Sequence, residues 1–313
     1  MAPLQVTHFT DPGCPWAWSA SPHLAVLRWR YGDGLRWRHV MIGLTESAQE
    51  YERRGYTGER MAFGYRSFRA RGMPFATAPR DHVHATGAMC RVVVAARLHG
   101  PQHEWAVLRA LQLAQFTTTL DLGEADALRE ALAWLPGVDG DELVAAAGSD
   151  PAVEAAYQED RRAARSAAGG ATEFQGKCAT TPAGEVRFTA PSLIFSAADG
   201  RTLEAGGFQS TEAYDVCVAN LDRTLARRAP ADDADEVLAA FPDGLTTAEV
   251  AAVMAPSNSA PDLDAAEDAL IAAAGARRAE RLAFGHDALW CPPRRAATRR
   301  FARDRAVLSQ SRP

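Results

Sequence analysis

Residues 11 to 18 read Asp-Pro-Gly-Cys-Pro-Trp-Ala-Trp, and the residue in this stretch best placed to do chemistry is Cys14. It follows an alternating extended segment closed by Asp11-Pro12-Gly13 and precedes a helical pattern, which puts the sulfur at a strand-to-helix corner. In the first turn of a helix, unsatisfied backbone N–H groups and the positive end of the macrodipole favour a thiolate, so the position predicts a lowered thiol pKa and a nucleophile. The Asp-Pro-Gly turn predicts an exposed sulfur; the competing reading is a small buried hydrophobe, a common use of free cysteine. A second thiol three residues on would complete a Cys-x-x-Cys redox pair, but Ala17 stands there, so dithiol exchange within the motif is excluded.

Other side chains are candidates around this thiol. Trp16 and Trp18 flank the motif and would either line a face for aromatic or quinone-like compounds or pack in the core. His8, on the strand leading to the corner, is a candidate thiolate stabiliser. His82 and His84 could point to the cleft, but without a third ligand they predict no metal site. Lys177 and Arg187 would attract an anionic cosubstrate or serve as solvated surface charge. Cys178, in the loop-like stretch FQGKCATTPAG, is the candidate resolving thiol from within the chain. Cys90 and Cys217 fall in apolar helical runs and read as inert, and Cys291 carries no signal.

The elements that position Cys14 follow from periodicity. LQVTHFTD alternates as a short strand, and PWAWSASPHLAVLRWRYGD reads as a helix that Pro22 kinks or divides and Gly32 stops. LRWRHVMIGL reads as a second strand, giving a βαβ unit with parallel strands. Residues 59–170 are Ala/Leu-rich with helical periodicity, a helical insertion. Extended runs return at GEVRFTAPSLIFSAADGRTLEAGGFQS with a turn at Asp199-Gly200, and a helix capped by Ser210 or Thr211 closes the unit. The order is that of an α/β thioredoxin-like fold, residues 1–58 and 171–228, around the insertion. After the linker APADDADE, residues 229–293 predict three short helices and a strand pair, a small winged-helix-like α+β module, and residues 294–313 form an Arg-rich tail.

Length and composition bound the function. The 313 residues allow two domains or one with a large insertion, and a net charge of −5 gives no reason to expect a nucleic-acid partner. In the winged-helix-like module, Asp262, Asp264, Glu267 and Asp268 at the start of the last helix would repel phosphates. The sequence predicts a cytoplasmic protein with no membrane span, and leaves a homodimer open. Five dispersed cysteines read as free thiols, and no metal or nucleotide motif is present.

Asp11-Pro12-Gly13-Cys14-Pro15-Trp16, with Ala190-Pro191 opening a strand after the insertion, resembles the DsbA-like branch of thioredoxin-fold oxidoreductases, and more closely the FrnE-like and mycothiol-dependent reductase subgroup. The resemblance covers roughly residues 4 to 226 and has CPWA where the family has CPWC. It implies that Cys14 is the nucleophile, that Pro191 is a cis-proline, and that Pro15, Trp16, Ala17, Trp18, Ala190 and Pro191 line a substrate groove. No tightly bound cofactor is expected. The departure at Ala17 leaves three readings open: a monothiol enzyme using mycothiol or glutathione, as in kappa-class glutathione transferases; resolution by Cys178; or an altered CPWC enzyme. The functional expectation is a thiol-disulfide oxidoreductase or thiol transferase acting on small-molecule or protein disulfides. A thiol-dependent isomerase without net redox change and a non-catalytic binding protein are the alternatives.

Overall fold

The computed structural model describes residues 2–284 and 287–293; the Arg-rich segment 294–313 lies outside the described residues. Strand β1 (Leu4–Thr10) leads into a short helix α1 (Pro15–Ser19), then α2 (Ser21–Tyr31) and strand β2 (Leu35–Met41). Of the kink or division expected at Pro22, the structure has the division, at Ala20, because Pro22 has no N–H to donate and is tolerated only in the first turn of a new helix. Strand β2 runs parallel to β1.

Helices α3 (Ala48–Arg53), α4 (Gly58–Phe68), α5 (Gly87–His99), α6 (Glu104–Thr117), α7 (Ala125–Leu132), α8 (Gly140–Ser149), α9 (Pro151–Ala164) and α10 (Ala171–Phe174) follow. The chain then returns to extended structure: β3 (Cys178–Thr180), β4 (Val186–Phe188), β5 (Ser192–Ser196) and β6 (Thr202–Ala205), closed by α11 (Thr211–Leu221). The main sheet has the order β2-β1-β5-β6, with β5 antiparallel to both neighbours. This is the thioredoxin-like arrangement. On one face, Leu4, Val6, Leu193 and Phe195 pack against Leu24 and Leu27 of α2 and Tyr214 and Val218 of α11. The insertion builds a separate core from α5 to α9, with Val92, Val93, Leu108, Leu111 and Tyr157 fully enclosed.

Cys178 does not lie in a loop. It opens β3 and pairs with Phe188 of β4, a hairpin too short to leave an alternating signature in the sequence. The C-terminal module runs α12 (Ala234–Ala240), β7 (Leu245–Thr246), α13 (Thr247–Met254), α14 (Leu263–Gly275), β8 (Glu280–Phe284) and β9 (Asp287–Cys291). The expected strand pair is thus a three-stranded sheet, β7-β9-β8, and α12 begins inside the expected linker, capped by Asp233. Helix–strand–helix–helix–strand–strand is the winged-helix order. The module is fastened to the thioredoxin unit: Ala25, Val26 and Trp29 of α2 share a core with Val250, Val253, Leu270 and Trp290.

Candidate active site around Cys14

Cys14 is the N-cap of α1, with extended backbone, and Pro15 occupies the first helical position. The turn before it is built on Asp11, whose buried carboxylate accepts from the backbone N–H of Gly13 (2.8 Å) and Leu44 (2.9 Å), the Thr86 hydroxyl (3.0 Å) and the Cys90 thiol (3.5 Å). Gly13 is required by close approach, since a Cβ there would lie 2.4 Å from Cγ2 of Thr86. The Asp-Pro-Gly corner is therefore clamped between β1, the segment after β2 and the start of α5.

Above the corner comes the strand β5. The Ala190–Pro191 peptide is cis, and the Cys14 thiol donates to the Ala190 carbonyl oxygen at 3.1 Å. Cys14 belongs to a buried apolar cluster with Phe9, Ala17, Phe188, Ala164, Ala167 and Ala190, and is only 6% exposed. The expectation of an exposed sulfur with a lowered pKa is overturned. Burial pushes the Cys14 thiol up to about 12. The backbone N–H groups of Ala17 and Trp16 point at the sulfur and favour its thiolate, as a helix start should; Asp11 disfavours the thiolate and Arg187 favours it. Desolvation outweighs the helix terminus.

His8 is not beside Cys14. Successive strand side chains point to opposite faces, so Phe9 enters the apolar cluster around Cys14 while His8 turns to the α2 side. There its ring packs edge-on against Trp37 and His39, and burial drives its pKa well below the usual value. The cation acting on Cys14 is Arg187 of β4 instead. Its guanidinium donates to the Phe188 carbonyl at 2.8 Å, and burial lowers its own pKa. Lys177 is exposed on the turn before β3.

Of the six groove residues, Trp16 is 40% exposed and Pro15 half-buried, whereas Ala17, Trp18, Ala190 and Pro191 are buried. Trp18 is a core side chain: its indole N–H donates to the Pro74 carbonyl at 2.8 Å and its ring stacks on Phe116. Three helical positions separate neighbours on one helix face, and Trp16 and Trp18, two apart, cannot share one. His84 is likewise internal, bonded to Gln115 (2.8 Å) and 3.1 Å from Asp121, with the exposed His82 on the other oxygen of the same carboxylate. Among the described residues no cluster could hold a metal ion. Cys178 packs against the cluster that encloses Cys14, and all five cysteines are free thiols.

The DSBA-like thioredoxin domain family matches residues 5–169, just over half of the 313 residues. The chain belongs to that family. This DsbA-like family is one of thiol-dependent oxidoreductases, and the match spans β1, the Cys14 corner and the helical insertion. Among solved structures, a protein from Nitrosomonas europaea assigned provisionally as a protein disulfide isomerase aligns at 16% identity over 70% of this chain and 97% of its own, with a TM-score of 0.52. A probable DsbA oxidoreductase from Streptomyces coelicolor aligns at 20% identity over 74% and 94%, with a TM-score of 0.51. At these identities the likeness is one of fold. No curated protein matches the chain.

Sequence reasoning missed several residues around Cys14. Asp11 reads as an ordinary turn residue, and three of its four donors come from parts of the chain far away in sequence. Phe68, Arg71 and Phe208, which gather at Trp16, were missed for the same reason; the only local hint is the density of arginine and aromatic residues in ERRGYTGERMAFGYRSFRARG.

Proposed function

We propose that this chain is a monothiol oxidoreductase or thiol transferase that exchanges small-molecule or protein disulfides through Cys14, with a low-molecular-weight thiol, mycothiol or glutathione, as cosubstrate. The observation that carries the reading is the position of the sulfur: at the N-cap of α1, under the backbone N–H groups of Trp16 and Ala17, and 3.1 Å from the Ala190 carbonyl. The Cys14 sulfur attacks a disulfide RS–SR′, forming Cys14–S–S–R as the S–S bond breaks, and the thiol proton leaves with R′S⁻ as R′SH. A second thiol then attacks the mixed disulfide, releasing its own mixed disulfide with R and restoring the Cys14 thiol. With Ala17 in place of a second cysteine, that resolving thiol comes from solution, and Cys178 is a bystander. The FrnE-like, mycothiol-dependent subgroup and a cytoplasmic location fit this chemistry; no helix among the described residues is long and apolar enough to cross a membrane.

The burial of Cys14 favours a second reading, a binding protein that keeps the site without turnover. Turnover of 2-hydroxyethyl disulfide with excess glutathione or mycothiol separates the two. Turnover lost in Cys14→Ser and kept in Cys178→Ser supports the enzyme; turnover unchanged in Cys14→Ser refutes it.

A further inference from the structure

Trp16, the exposed residue of the motif, is the floor of a small platform. Phe68 lies edge-on to its ring at 5.0 Å between centroids, and Phe208, from the segment after β6, at 5.8 Å. The Arg71 guanidinium stands over this platform, 4.3 Å from the Trp16 ring, 5.2 Å from Phe208 and 6.0 Å from Phe68. Arg71 is exposed, and among the described residues no carboxylate lies within ion-pair distance of it. An arginine held over aromatic rings by cation–π attraction is positioned while its N–H donors remain available to a carboxylate. The surroundings agree: residues 51–72 hold six arginines (Arg53, Arg54, Arg60, Arg66, Arg69 and Arg71) against Glu52 and Glu59, within a chain of net charge −5. Local positive potential concentrates anions where the overall charge would repel them.

We infer that Arg71 is a specificity-determining residue that anchors a carboxylate of the disulfide delivered to Cys14, so that the substrate class is carboxylate-bearing disulfides. The inference rests on Cys14 being the reacting thiol. Trp16 links the two places, its backbone N–H facing the sulfur while its ring carries the guanidinium.

The test is a matched aliphatic series, 3,3′-dithiodipropionate (anionic), 2-hydroxyethyl disulfide (neutral) and cystamine (cationic). Formation of the mixed disulfide on Cys14 is timed by intact mass in wild type, Arg71→Gln and Arg66→Gln. Wild type should react in the order anionic, neutral, cationic. Arg71→Gln should lower the anionic-to-neutral rate ratio about fivefold, the scale of one exposed charge contact, with the neutral rate unchanged as evidence of an intact fold. Arg66→Gln, whose guanidinium lies over Phe63 instead, should keep the wild-type ratio. An Arg71→Gln ratio equal to wild type, or no anionic preference in wild type while the neutral disulfide reacts, overturns the anchor alone. Failure of all three disulfides to modify wild-type Cys14 overturns the parent reading and the anchor with it.

Discussion

The Cys14 thiol donates its proton to the carbonyl oxygen of Ala190, 176 residues further along the chain, at 3.1 Å. That bond ties the start of α1 to the cis Ala190–Pro191 peptide, and burial holds the resting sulfur in its protonated form. A thiol with a pKa of about 12 reacts slowly at neutral pH. The alkylation rate of Cys14 by iodoacetamide, followed by peptide mass spectrometry, should therefore rise roughly tenfold per pH unit between pH 7 and about 10 without reaching a plateau. A plateau below pH 8 would mean that the helix terminus prevails over burial.

The same shift links to stability. The folded thiol titrates near 12 against an ordinary value of 9.0, so the folded state holds its proton more tightly. Its contribution is fully present below about pH 9 and is lost as the pH rises from there toward 12. Relative to Cys14→Ala, the wild-type chain should lose on the order of 1 kcal/mol of stability per pH unit above pH 9. Parallel curves in urea titrations at pH 8 and 10 would refute this.

Replacing Asp11 should move the stability of the chain and the reactivity of Cys14 in opposite directions. Asp11→Asn removes an acceptor from buried donors and should destabilise the chain by about 2 kcal/mol. It also removes a negative charge that raises the Cys14 pKa, so alkylation of Cys14 at fixed pH should become faster. Loss of stability with slower alkylation would show that Asp11 acts only through the shape of the turn.

Much of the scaffold is legible in the sequence, because it rests on periodicity and on punctuation by Pro and Gly. The alternation of β1, the division of α1 from α2 by Pro22 and the parallel βαβ connection each follow from a few adjacent residues. The state of the site is not legible in this way. Whether Cys14 is wet or dry depends on Phe188, Ala164 and Ala190, all more than 140 positions away in the chain. His8 illustrates the same limit: nearness along a strand says little when neighbouring side chains point to opposite faces. Trp16 and Trp18 look equivalent in DPGCPWAW, yet one is 40% exposed and the other fully buried.

Beside the apolar cluster that Met73, Phe75 and Phe116 share with Ala248 and Leu289, a buried ion pair joins the C-terminal module to the helical insertion. Arg109 of α6 donates to Glu249 at 2.6 Å, and both side chains are almost wholly enclosed. Glu249 also completes the capping box of α13 with Thr246. Glu249→Gln leaves a buried guanidinium without its counter-charge and should cost about 3 kcal/mol. Unchanged stability in chemical denaturation would show that the two units do not rely on this contact.

If Cys14 exchanges disulfides alone, its mixed-disulfide intermediate can be trapped and then released by a thiol from solution. The protein is incubated with glutathione disulfide, then digested and mapped by mass spectrometry before and after excess reduced thiol. One glutathione should appear on Cys14 and be removed completely by the added thiol, with no Cys14–Cys178 link at any stage. An unmodified Cys14, or glutathione held on another cysteine instead, would contradict it.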